Sequence, residues 1–114
     1  DELNGAVKAF TTDLKNNNRF DDVLMMTFSE FGRRVSQNAS NGTDHGTANN
    51  MFFISGGLKQ KGLLNEMPDL SNLNDGDLKH TVDFKNVYAT VLNNWLGVND
   101  KNILGGNYER MNFV

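Results

Sequence analysis

An α/β fold is what the sequence predicts, and three stretches carry that expectation. "VLMMTF" (residues 23–28) and "MFFIS" (51–55) are short continuous apolar runs with the length and composition of buried strands. "DFKNVYATVLNNWLG" (83–97) sets Phe84, Val87, Tyr88, Val91, Leu92 and Trp95 on one face at helical spacing.

Taken in chain order, Leu3, Ala6, Val7, Phe10 and Leu14 recur with a helical period while Glu2, Lys8, Asp13 and Lys15 fall off that face, so an amphipathic helix is predicted over about residues 2–16. Asn16-Asn17-Asn18 ends it. Residues 22–28 then read as a strand buried on both faces. "SEFGRRVSQNASNGTDHGTANN" follows without a convincing period and is far longer than the ~4–6 residues of ordinary connections, which marks it as functional or disordered. A second strand is predicted over residues 51–55, stopped by Gly56-Gly57. The next segment holds the single proline and reads as an irregular excursion with a turn at Asn74-Asp75-Gly76. The long helix has Thr81 or Asp83 available as its N-cap and Gly97 beyond its end, and "NYERMNFV" suggests one short final strand.

With 114 residues, 22% charged positions and a formal charge of −3, the chain has room for one domain at most and no basic field for a nucleic acid. No apolar run approaches the roughly 20 residues that cross a bilayer, and the first residues lack the features of a signal peptide. The absence of cysteine removes disulfides, thiolate metal sites and a cysteine nucleophile. Two strands and two helices leave sheet edges and apolar faces uncovered. Residues 1–114 are therefore expected to be a single partial domain, completed by the remainder of the same fold or by another copy.

Polar residues just past a buried strand are the usual place for a site in an α/β sheet. Ser29, Glu30, Arg33 and Arg34 lie there, and the long loop returns through Asp44-His45 just before the second strand. Glu30 and His45 meet if the two strands are neighbours. A carboxylate with an imidazole suits Zn²⁺, Mn²⁺ or Fe, and carboxylates alone suit Mg²⁺ or Ca²⁺. Glu30, Asp44 and His45 are accordingly candidate ligands for a divalent metal, and Arg33 and Arg34 candidate anion-binding groups. A plainer reading competes: Glu30 pairs with one of the arginines, Asp44 caps a turn, and His45 hydrogen-bonds the backbone. Other motifs carry less. Aligning Gly76 with the sixth position of a calcium loop puts Leu73 and Val82 where oxygen ligands belong, His80 reads as a surface or capping residue, and Ser29 lacks a nucleophile elbow. Asn38-Ala39-Ser40 and Asn41-Gly42-Thr43 match glycosylation triplets, which fit an exposed loop.

From about Asp22 onward, Phe28-Ser29-Glu30-Phe31-Gly32-Arg33-Arg34, Gly42-Thr43-Asp44-His45-Gly46-Thr47-Ala48, "DGDLKHTVDFKNVYATVLNNWLGVN" and "LGGNYERMNFV" together resemble the C-terminal part of the bacterial domain-of-unknown-function-1501 proteins. The resemblance implies an exported, sulfatase-like protein of the alkaline phosphatase superfamily, with a three-layer fold and a metal-bound site at its strand ends. Ser29-Glu30-Phe31-Gly32 resembles the position of that superfamily's Asp-His-Gly, and His45-Gly46-Thr47-Ala48-Asn49 its later His-Thr segment. Glu30 can replace an Asp ligand, whereas Phe31 cannot replace a His. An alternative alignment sets Thr43-Asp44-His45-Gly46 against Asp-His-Gly, but "SQNASNG" before it is no buried strand. The resemblance implies that the Ser or Thr nucleophile of such an enzyme, and its N-terminal metal-binding Asp, lie upstream of residue 1. The expected function is thus one part of a metal-dependent phosphate- or sulfate-ester hydrolase, the alternative being an exported binding or scaffold protein of the same fold.

Overall fold

A computed structural model describes residues 1–114, and its content is mixed α/β: three helices and three small antiparallel sheets. Helix α1 spans Glu2–Asn16, as the periodicity predicts, and ends where the Asn17 N–H donates to the Asp13 carbonyl, the Asn18 N–H to that of Lys15, and Asn18 turns to a φ of 55°. None of its residues is buried; Leu3 and Phe10 of its apolar face are exposed.

The first predicted strand is much shorter than the apolar run. Phe20–Asp22 forms a 3-10 turn, and the strand is Met25–Met26 alone (β1), with Thr27 just beyond it bonding Phe52 through its N–H and hydroxyl. Its residues are half-buried and Phe28 stays 71% exposed, which corrects the expectation of a strand covered on both faces. The aperiodic loop contains a hairpin, Gly32–Gln37 (β2) with Thr43–Gly46 (β3). Asn38 closes it: its Oδ1 accepts from the N–H groups of Ser40 and Gly42, and its own N–H donates to the Gly42 carbonyl at 2.9 Å. Asn41 supplies the left-handed residue, with φ 58°. The second predicted strand reduces to Phe53–Ile54 (β4), antiparallel to β1 in the register Met25 with Ile54 and Met26 with Phe53.

The expected turn near Asn74 joins Leu73–Asn74 (β5) to Asp77–Leu78 (β6). Asp75 (φ 50°) and Gly76 (φ 84°) both take the left-handed region that a two-residue type I′ hairpin requires. The predicted long helix begins as α2, Phe84–Thr90, capped by Asp83, whose carboxylate accepts from the Lys85 N–H at 2.8 Å. It continues through a π turn, Val91–Trp95, in which the Leu96 N–H reaches back to Val91. A short helix α3, Asp100–Leu104, follows with Asn99 as its cap and Gly105 at φ 70°. The final strand does not form. Instead Phe113 and Val114 are buried, held by bonds from Lys59 N–H to the Phe113 carbonyl and from Asn94 Nδ2 to the Val114 carbonyl.

The core is a cluster of Val87, Phe113 and Val114, with Met26, Phe53, Val91 and Trp95 packed around it. Phe113 meets the Phe53 ring at 4.6 Å between centroids. Asp100, 1% exposed, is matched by Arg110, whose Nη2 donates to it at 2.6 Å. The exposed area is 8451 Å², against roughly 6,200 Å² for a compact monomer of this mass, and the radius of gyration is 16.6 Å against roughly 13 Å. No helix is long and apolar enough to cross a membrane.

Candidate functional site

The β2–β3 ladder decides which polar side chains meet. Gly32 stands opposite Gly46, and Arg33 opposite His45. Directly opposed residues project to the same face of a hairpin, whereas Arg34, one position along, projects to the other. The two glycines are required by close approach: a Cβ on Gly32 would overlap the Ala48 carbonyl, and one on Gly46 would lie 2.9 Å from the Arg33 carbonyl carbon. Gly32 is consequently buried although its neighbours are not.

On the first face, Phe31 stacks on His45 with centroids 3.7 Å apart and planes 16° from parallel. The Arg33 guanidinium carbon lies 5.5 Å from the same phenyl ring, and its Nη1 donates to the Thr43 carbonyl at 2.8 Å. Ser29 steadies the approach to this ring by donating its hydroxyl to the Phe31 carbonyl. Arg33 is thereby held at one side with N–H groups to spare. On the second face, Arg34 Nε bonds Asp77 Oδ1 at 3.2 Å, tying the hairpin to β6, and Thr47 adds a bond to the Leu78 carbonyl. The expected local pairing of Glu30 with an arginine is replaced by this pair across 43 positions of sequence.

Residues from both faces, Arg33, Arg34, Asn38, Thr43, Asp44 and His45, line one open concavity of about 630 Å³ that wraps the hairpin, with no apolar residue among them. Asp44 accepts from Asn38 Nδ2 at 2.9 Å, so it braces the hairpin turn, much as the plainer sequence reading expects of a turn cap. Four of the five candidate residues thus come together, while Glu30 is exposed and outside this lining. No three His, Asp or Glu side chains gather in a way that could hold a metal ion, so a divalent ion at His45 requires ligands from elsewhere. What the surface offers by itself is a guanidinium, an imidazole able to donate or accept, and amide and hydroxyl groups, a set suited to an oxyanion.

Sequence reasoning missed Asn38, Thr43 and Asp77 as parts of this arrangement. For the first two a partial signal existed: Asn41-Gly42 marks a turn, but a two-residue loop there would set Asn38, not Arg33, opposite His45, and the observed register is offset by an irregularity between Arg33 and Gln37. His80, exposed and not the cap of α2, takes no part.

Comparison with known proteins adds one match. No curated protein and no solved structure matches the chain. The model of the family described as protein of unknown function (DUF1501) matches residues 1–111, nearly the whole length, and the chain belongs to that family.

Proposed function

We propose that this chain carries the anion-binding edge of an ester site in an exported, sulfatase-like protein with an alkaline-phosphatase-like three-layer fold, a phosphate- or sulfate-ester hydrolase whose nucleophile lies outside residues 1–114. One observation carries the reading: Arg33 and His45 stand opposite each other on one hairpin face, against the Phe31 ring, in a wholly polar concavity. Arg33 would hold a terminal oxygen by charge-assisted bonds, and His45 would donate to a second oxygen or move a proton at the bridging one. The large exposed area supports a partner surface, either the remainder of the fold or another copy. A divalent metal (Zn, Mn, Mg or Ca) beside Asp44 and His45 belongs to the same proposal, with its remaining ligands supplied by that partner surface, since Glu30 lies outside the concavity.

Calorimetric titration of the full chain with methyl sulfate and methyl phosphate tests the proposal. Arg33→Gln is expected to weaken binding roughly 10- to 100-fold, the loss of one hydrogen bond to a charged group. Equal affinity in native protein, Arg33→Gln and His45→Gln would remove the assignment. A non-catalytic binding protein is favoured by one feature, the Phe31 ring lying flat on His45 where a second metal ligand would be expected. Hydrolysis of aryl sulfates or phosphates that disappears in His45→Gln would exclude it.

A further inference from the structure

Four charged side chains gather at the hairpin, and they are not equivalent. Arg34 is committed: its Nε donates to Asp77 at 3.2 Å, with the Asp77 side chain only 18% exposed and that of Arg34 37%. Asp77 is fixed in turn by the β5–β6 hairpin, whose Gly76 lies against the Arg34 Nη1, where a Cβ would come to 3.3 Å. Asp44 adds a second negative charge to the concavity, its carboxylate accepting only the neutral Asn38 amide. Arg33 is left as the one guanidinium without a carboxylate partner, since its recorded bond goes to a carbonyl. The formal charges of Arg33, Arg34, Asp44 and Asp77 cancel. A ligand with one negative charge can be matched by Arg33; in the chain without a bound metal ion a second charge would meet no free cation and would face Asp44.

We propose that Asp77 is a positioning residue that holds Arg34 in an ion pair at the wall of the concavity, offsetting its charge, and so sets the site to accept singly charged oxyanion esters, sulfate monoesters or phosphate diesters, in preference to doubly charged phosphate monoesters. This rests on the reading of Arg33 and His45 as an anion site. Phosphate monoesters carry close to two charges well above pH 6, whereas sulfate monoesters and phosphate diesters carry one. The Asp77–Arg34 pair is therefore a charge filter built from a contact that touches no ligand.

The test is calorimetric titration of the full chain at pH 8 with methyl sulfate, dimethyl phosphate and methyl phosphate, the first two distinguishing the sulfate from the diester. The native protein is expected to bind at least one of the singly charged esters more tightly than methyl phosphate. Asp77→Asn is expected to shift the ratio toward methyl phosphate by roughly threefold, the attraction of one released unit charge about 6 Å away in a water-like dielectric. Arg34→Gln combined with Asp77→Asn removes both charges and is expected to return the ratio to its native order, which a purely structural role for Asp77 would not do. Preference of the native protein for methyl phosphate, or a ratio unmoved by Asp77→Asn in folded protein, overturns the inference and leaves the anion site standing. Failure of all three esters to bind the native protein removes the proposed function and this inference with it. The native preference decides the case even where a variant does not fold.

Discussion

Gly32→Ala joins fold and site in a single perturbation. The new Cβ would occupy the same space as the Ala48 carbonyl, so either the chain after β3 withdraws or the start of β2 lifts away. Such overpacking costs about 1–3 kcal/mol. Taking about 2 kcal/mol and a urea dependence of about 1.5 kcal/mol per molar, the unfolding midpoint is expected to fall by about 1.3 M. Arg33 and His45 are the next pair along the ladder, and misplacement of their atoms by an ångström is expected to weaken methyl sulfate binding by at least about tenfold. Gly46→Ala is the graded control: its Cβ would sit 2.9 Å from the Arg33 carbonyl carbon, about half an ångström inside ordinary contact, so a smaller loss is expected in both readouts. Urea unfolding followed by circular dichroism, paired with the titration, measures both. A Gly32→Ala midpoint within about 0.3 M of the native value and an unchanged affinity would refute the close approach and the hairpin register that rests on it.

Two further outcomes follow from the core and its ion pair. Phe113→Ala empties a site that is 1% exposed and removes the contact with Phe53, so a loss of about 3–5 kcal/mol is expected in urea unfolding; a loss below about 1 kcal/mol would show that the C-terminal residues do not form the core. The hydrogen bond from Arg110 holds the Asp100 carboxyl below its ordinary range, against the opposing effect of burial. Its folded value is lower than its unfolded one, so the stability it contributes is fully present above about pH 4 and is lost as pH falls through the folded value. Unfolding midpoints between about pH 5 and 2 are expected to fall less steeply in Asp100→Asn than in the native protein, and identical slopes would rule the pair out as an acid-sensitive contact.

Where hydrophobic periodicity was strong, the fold was legible. The stripe Leu3, Val7, Phe10 and Leu14 located α1, and Phe84 through Trp95 located α2 with its π turn, together with the Asp83 cap and the turn at Gly97. Where both faces of an element are exposed, no such stripe exists. Gly32–Gln37 reads as noise because only Gly32 is buried and Arg34 half-covered, so its pairing rests on turn chemistry at Asn38 and Asn41. Apolar composition also misled in the other direction: Thr27 and Phe28 extend the run after β1 but lie outside the ladder and are exposed. At the site, Asp44 and His45 were visible as residues, but Arg33 as the residue facing His45 was not, because an irregularity between Arg33 and Gln37 offsets the register that a turn at Asn41-Gly42 would set. The capture of Arg34 by Asp77 was not, because a contact between distant hairpins leaves no local trace in residue order.

The stack of Phe31 on His45 has a spectroscopic consequence. An aromatic ring shields protons held over its face, and an imidazole at 3.7 Å and 16° from parallel lies well within that field. The chain has only two histidines, and the other, His80, is exposed with no aromatic partner recorded against it. The His45 ring protons should therefore stand upfield of those of His80 in a proton spectrum of the native chain, and Phe31→Leu should bring the two sets together. The hairpin thus carries an intrinsic probe of its own closed geometry, readable without any label.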